Sequence, residues 1–127
     1  MRVLLCFDEN PAAQALIRSA VRLATERTAE LYALYVEPPG ASTRRTPASA
    51  AQLARNQRLA DDLGAQVTVV HSHRVADAIL AFANEHAIDI IVLGRAQHLW
   101  WRRRFGGDIA AQVVAHSAGI DVQILDC

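Results

Sequence analysis

The sequence predicts a doubly wound α/β domain on a five-stranded parallel sheet. Two observations carry this. Five short apolar runs recur along the chain, and each gap between them holds a segment with apolar residues at helical spacing. The central runs are apolar throughout, with no polar alternation, as strands covered on both faces must be. Strict alternation of strand and helix then implies right-handed crossovers and four helices.

The first strand is "VLLCF" (3–7) and the second is "ELYALYV" (30–36). The helix between them places Ala13, Leu16, Ile17, Ala20, Val21 and Ala24 on one face, with Asn10 and Pro11 as cap and first turn. A second helix, over about 47–63, sets Leu53, Ala60 and Leu63 on one side and stops at Gly64. The third strand is "QVTVVH" (66–71), and a third helix over about 74–86 uses Val75, Ile79, Leu80 and Ala83. "IDIIVLG" (88–94) is the fourth strand. A glycine- and arginine-rich loop then leads to a fourth helix over about 107–117, with Ile109, Val113 and Val114 inward, and "IDVQIL" (120–125) closes the sheet. The one long irregular connection, 37–51, contains Pro38, Pro39, Gly40 and Pro47 and is placed to act as a mobile lid over the carboxyl ends of the strands.

A chain of 127 residues is one domain. With 52% apolar residues, 20% charged residues and no net charge, it is an ordinary globular composition, and any basic function must be local. These figures argue against nucleic acid as a general partner. All 13 basic residues are arginines. Cys6 and Cys127 have no spacing that suggests a bridge, which points to a reducing, cytoplasmic setting. No apolar run is long enough to insert into a membrane.

In parallel sheets of this kind ligands bind outside the carboxyl ends of the strands. That rule selects Asp8 to Asn10, Val36 to Gly40 and Gly94 onward as one rim. Asp8 has two readings: its carboxylate can accept hydrogen bonds from an adenine or ribose, or it can cap the first helix. Gly94, Gly106 and Gly107 allow backbone amides to approach phosphate closely, although neither GxxxxGK[ST] nor GxGxxG is present. Arg95, Arg102, Arg103 and Arg104 can clamp phosphates or meet an acidic surface, and Trp100 with Trp101 cannot both be core residues in an extended segment. Tryptophan beside arginine is also the composition of a binding hot spot.

His71 and His73 lack a third ligand, so no metal is expected. No GxSxG, HExxH or convergent Ser, His and Asp set is present, and no catalytic residue is assigned. A phosphoacceptor receiver needs an aspartate ending the third strand and a lysine on the fifth. This third strand ends in "HSH", and there is no lysine.

The motifs "VLLCFDEN", "YVEP" and "DIIVLG", in this order, resemble the universal stress protein family over nearly the whole chain. The resemblance implies strand order 3-2-1-4-5 and an adenine-nucleotide site at Asp8, Val36, Gly94, Arg95, Gly106, Gly107 and Asp108. ATP-binding members carry GxxG, nine residues, then glycine and a hydroxyl residue. Here Gly94 and Gly107 fit, Gln97 replaces the second glycine, and Asp108 replaces the hydroxyl and sets a carboxylate against phosphate.

Within the family, "RLATERTAELYALYVEPP" and "VLGRAQHLWWRRRFGGDIAAQVV" resemble the cytoplasmic stress-protein-like domain of the KdpD sensor histidine kinases, which govern potassium uptake. That likeness implies a regulatory fragment, itself not an enzyme, of a larger inner-membrane kinase. Trp100, Trp101, Arg102, Arg103 and Arg104 become docking candidates for a stress protein or for other kinase domains, and ATP or cyclic di-AMP are the implied ligands. A homodimer is also compatible with the resemblance. The alternative it leaves open is a freestanding stress protein that binds an adenine nucleotide.

Overall fold

A computed structural model describes residues 1–127. Its elements are β1 (Arg2–Cys6), α1 (Ala13–Glu26), β2 (Glu30–Glu37), α2 (Ala41–Arg44), α3 (Pro47–Asp62), β3 (Gln66–His71), α4 (Val75–Glu85), β4 (Ile90–Gly94), α5 (Arg95–Phe105), α6 (Ile109–Ala115) and β5 (Asp121–Leu125). The strands form one sheet in the order β3-β2-β1-β4-β5, and every pairing is parallel. The chain reverses direction across the sheet at β1, so the switch point lies between β1 and β4.

Side chains on a strand alternate between faces, and β1 shows what that does. Leu4 and Cys6 enter one cluster with Leu34, Val36, Ile79, Ile91, Leu93 and Trp101, beneath α4 and α6. Val3, Leu5 and Phe7 enter the other with Leu16, Ile17, Tyr35, Leu53 and Val92, beneath α1 and α3. Every residue of β4 is buried, as is every residue of β1 after Arg2, which explains their unbroken apolar runs. None of the helices is long and apolar enough to cross a membrane.

Six helices form where four are expected from the apolar spacing. The segment read as a glycine- and arginine-rich loop is the helix α5. Between its two glycine ends, "RAQHLWWRRRF" contains no proline, glycine or β-branched residue, and Arg, Ala, Gln and Leu are good helix formers. Gly106 terminates α5 in the left-handed conformation at φ 68°; it does not open the following helix. The expected lid is also ordered: α2 occupies part of it, and α3 starts at Pro47 with the Thr46 hydroxyl accepting from the Ser49 amide. Asn10 forms a turn instead of the helix cap: its Oδ1 accepts from the Ala12 amide, and α1 starts at Ala13. Leu63 and Val114, assigned to buried faces, are 38% and 53% exposed.

α3 is tied to the rim by a polar residue that periodicity does not reveal. Asn56 is fully buried; its Nδ2 donates to the carbonyls of Asp8 at 2.7 Å and Asn10 at 3.0 Å, while its Oδ1 accepts from Gln14 and Gln52. The amide is fully satisfied, so truncation strands several buried partners at once. Asn56→Ala is expected to cost about 2–4 kcal/mol with an unchanged dependence on denaturant concentration, checked by urea unfolding.

Candidate functional site

The rim at the carboxyl ends of β1, β2 and β4 collects most of the residues singled out from sequence. Asp8 follows β1 and is 6% exposed. Its Oδ1 accepts from the Asn10 amide at 2.9 Å, and its Oδ2 has no hydrogen-bond partner. Burial pushes its carboxyl up to about 6, aided by the neighbouring Glu9 and opposed by the Asn10 bond.

The space beside Asp8 is filled from α5. Gln97 is 4% exposed, donates from Nε2 to the Cys6 carbonyl at 2.7 Å and accepts at Oε1 from the Gly94 amide at 3.3 Å. Gln97 therefore plugs the switch point. What remains among Asp8, Gly94 and Gln97 is a cavity of about 10 Å³, room for one water at most. Gly94 is explained by packing, because a Cβ there would sit 3.3 Å from Leu16 Cδ2 and 3.5 Å from the Cys127 carbonyl.

The first turn of α5 is also occupied. The Ala96 amide donates to the Cys127 carbonyl at 2.8 Å, and Arg95 Nη1 stands 3.3 Å from Asp126 Oδ1. Asp108 caps α6, its Oδ1 accepting from the Ala111 amide at 2.9 Å, and lies 3.5 Å from His98 Nδ1. Gly107 precedes that cap and is half-buried. On the β2 side, Val36 is buried with Trp101, Val75 and Ile79 around a void of about 20 Å³. Known small-molecule sites run to about 300–1,000 Å³, so neither void holds a nucleotide in this conformation.

The two tryptophans divide between core and rim. Trp101 is 5% exposed, whereas Trp100 is half-buried beneath Arg104, whose guanidinium carbon is 5.2 Å from its ring centroid. Arg104 also reaches Glu9 Oε1 at 3.4 Å. Arg102 and Arg103 are exposed and meet no carboxylate; with Arg95 and Leu99 they form the outer face of α5, and Leu99 is 56% exposed. α5 carries no acidic residue.

Sequence reasoning missed the second layer of the rim. Arg45, from the connection read as a lid, bonds to Glu9, Glu37 and Tyr35, and His71 Nε2 lies 3.2 Å from Glu37 Oε2. The available signal was that Glu9 lies just past β1 and Glu37 ends β2, while Arg45 stands in the one long irregular connection. His71 and His73 are not joined by a third ligand, and no group of three metal-binding side chains forms.

The Asp8 shift fixes a pH dependence. Its folded value is raised, so between about pH 4 and 6 the native state holds a proton that the unfolded chain has released. Its contribution is greatest below about pH 4 and is lost as pH rises through 6. Asp8→Asn is expected to raise stability at pH 7.5 by about 2–3 kcal/mol and to flatten the profile between pH 4 and 6, checked by urea unfolding across that range.

Comparison with known proteins agrees with the architecture. Residues 1–122 match the model of the universal stress protein family. The sensor protein KdpD of Escherichia coli K12 is 34% identical over 113 residues, covering 87% of this chain and 12% of that protein. The sensor protein KdpD of Mycobacterium tuberculosis CDC 1551 is 34% identical over 124 residues, covering 98% of this chain and 14% of that protein. The chain thus spans about an eighth of the length of these relatives. A crystal structure of a universal stress protein in complex with cAMP superposes with a TM-score of 0.71 at 23% identity, over 99% of this chain and 96% of that one. By its family match and its fold, the chain belongs to the universal stress protein family.

Proposed function

We propose that this chain is a regulatory domain of a KdpD-type sensor histidine kinase, lying on the cytoplasmic side of the inner membrane and acting through docking without catalysis of its own. One observation carries the reading. The crevice where a doubly wound sheet offers a ligand site is filled by Gln97 and Trp101, while α5 turns Arg95, Leu99, Arg102 and Arg103 outward without acidic partners on the same helix. The likeness to KdpD proteins supplies the context, and potassium or osmotic signalling follows from that context.

In this role the domain biases the kinase by binding one of its states more tightly than another. The partner is another domain of the parent kinase or a separate stress protein, with a surface complementary in charge to the α5 arginines. Two copies would associate through β5, an edge strand paired only with β4. A second reading, a freestanding protein that binds ATP, cyclic di-AMP or another adenine nucleotide, draws on the unpartnered Asp8 Oδ2 and the cAMP complex of a structural relative. That reading requires Gln97 to leave the switch point.

Docking through α5 makes a charge-specific prediction. Replacing Arg102 and Arg103 by Glu leaves stability within about 0.5 kcal/mol, since both are exposed and unpaired. The same change is expected to weaken binding to the kinase region by roughly 10-fold or more at low salt and to abolish the salt dependence, measured by fluorescence anisotropy. Unchanged affinity would remove α5 from the interface.

A further inference from the structure

The most heavily bound charge at the rim is Arg45, and docking through α5 makes no use of it. Its side chain is 9% exposed. Nε donates to Glu9 Oε2 at 2.8 Å, and Nη2 donates to Glu37 Oε1 at 2.7 Å and to the Tyr35 hydroxyl. The guanidinium carbon also lies 5.8 Å from the Tyr35 ring centroid, and that ring is backed by Phe7. Burial opposes the charge, but the bonds to Glu37 and Glu9 outweigh it and hold the guanidinium above its ordinary pKa. Two carboxylates meeting different nitrogens of a planar cation, with an aromatic ring beside it, suit a guanidinium and would suit the compact head of a lysine poorly.

The segment that delivers Arg45 has little else to hold it. Within residues 38–45, the loop and side-chain hydrogen bonds other than those of the Arg45 side chain stay inside the segment: Ala41 to Pro38, Arg44 to Gly40 and Pro39, Thr43 to Gly40, and the Arg45 amide to Ala41. Ala41 is its only buried residue besides the Arg45 side chain; Ser42, Thr43 and Arg44 are exposed. The segment leaves the sheet through Pro38, Pro39 and Gly40, the last at φ 76°, and ends at the exposed Thr46 cap. One side chain thus pins a strap across the ends of β1 and β2. The same Glu9 also touches Arg104 of α5 through its other oxygen.

We propose that Glu9, Glu37 and Tyr35 form a binding site for an alkylguanidinium group, which Arg45 occupies as an internal ligand and which opens to an external guanidinium when the strap of residues 38–46 lifts. The source of the external group is either a small alkylguanidine or an arginine side chain on a partner. Because Glu9 joins the strap to Arg104, exchange at this cage also changes the support of α5. This inference stands independently of whether α5 docks to a kinase.

The test uses the full chain with Arg45→Ala. Hydrogen exchange over residues 38–46 should accelerate by roughly 100-fold on loss of the buried pairs, while peptides from β1 and β4 stay protected. Ethylguanidinium at ~10 mM should then raise the variant's Tm by roughly 3–5 °C, as expected for a millimolar site, and leave the wild type unmoved. The strap should remain fast to exchange, because the added cation fills the cage without tethering the chain. N-acetyl-arginine amide acting where ethylguanidinium does not would assign the site to a peptide arginine; equal action by both would leave the small cation sufficient. If Arg45→Ala does not fold, Arg45→Gln retains most of the stem and carries the same titration. An equal rise with ethylammonium, an equal rise in the wild type, or no rise with either guanidinium would overturn the proposal.

Discussion

The structure depends on how the gap at the sheet's switch point is filled. β1 sends its neighbours to opposite sides, β2 on one and β4 on the other, and the crossovers leave a crevice at the carboxyl ends. The backbone carbonyl of Cys6 faces that crevice and needs a donor. Gln97 provides one at 2.7 Å while accepting from the Gly94 amide, so one side chain satisfies both central strands. This bond fixes the start of α5, and α5 in turn places Trp101 in the core and three arginines outward. A glycine at position 97 would leave the Cys6 carbonyl, the Gly94 amide and the space beside them open.

The rim's electrostatics follow from the same closure. Asp8, Glu9 and Glu37 gather three carboxyl groups at the ends of two adjacent strands, an arrangement that would repel phosphate. Arg45 pairs with Glu9 and Glu37, and Arg104 with Glu9. Asp8 has no such partner: burial raises its pKa to about 6, so it is discharged only below that pH and stays a costly buried charge above it. Arg102 and Arg103, with no such duty, remain free on the surface.

Most of the fold was legible in the sequence because strands and amphipathic helices are periodic. The five strands, their continuous burial at the centre and the inward face of α1 all follow from spacing alone. α5 was not legible, because tryptophans, arginines and flanking glycines imitate a loop, and its inward face amounts to Gln97 and Trp101. Asp8 and Gly94 line one small void, and Asp8 and Val36 line another. The roles seen for the glycines and Asp108 are local: Gly94 permits close packing, Asp108 caps a helix, and Gly106 ends one. The pairing of Arg45 with Glu9 and Glu37 and the role of Asn56 escaped notice because, Gln52 apart, the partners are 8 to 48 residues away and only the folded sheet edge brings them together.

A calorimetric titration of ATP into the intact chain at moderate salt shows whether the crevice at the switch point is closed to a nucleotide. No saturable heat is expected up to about 1 mM, since the two voids there lie far below the usual size of a ligand site. Saturable binding in the micromolar range would mean that the crevice opens.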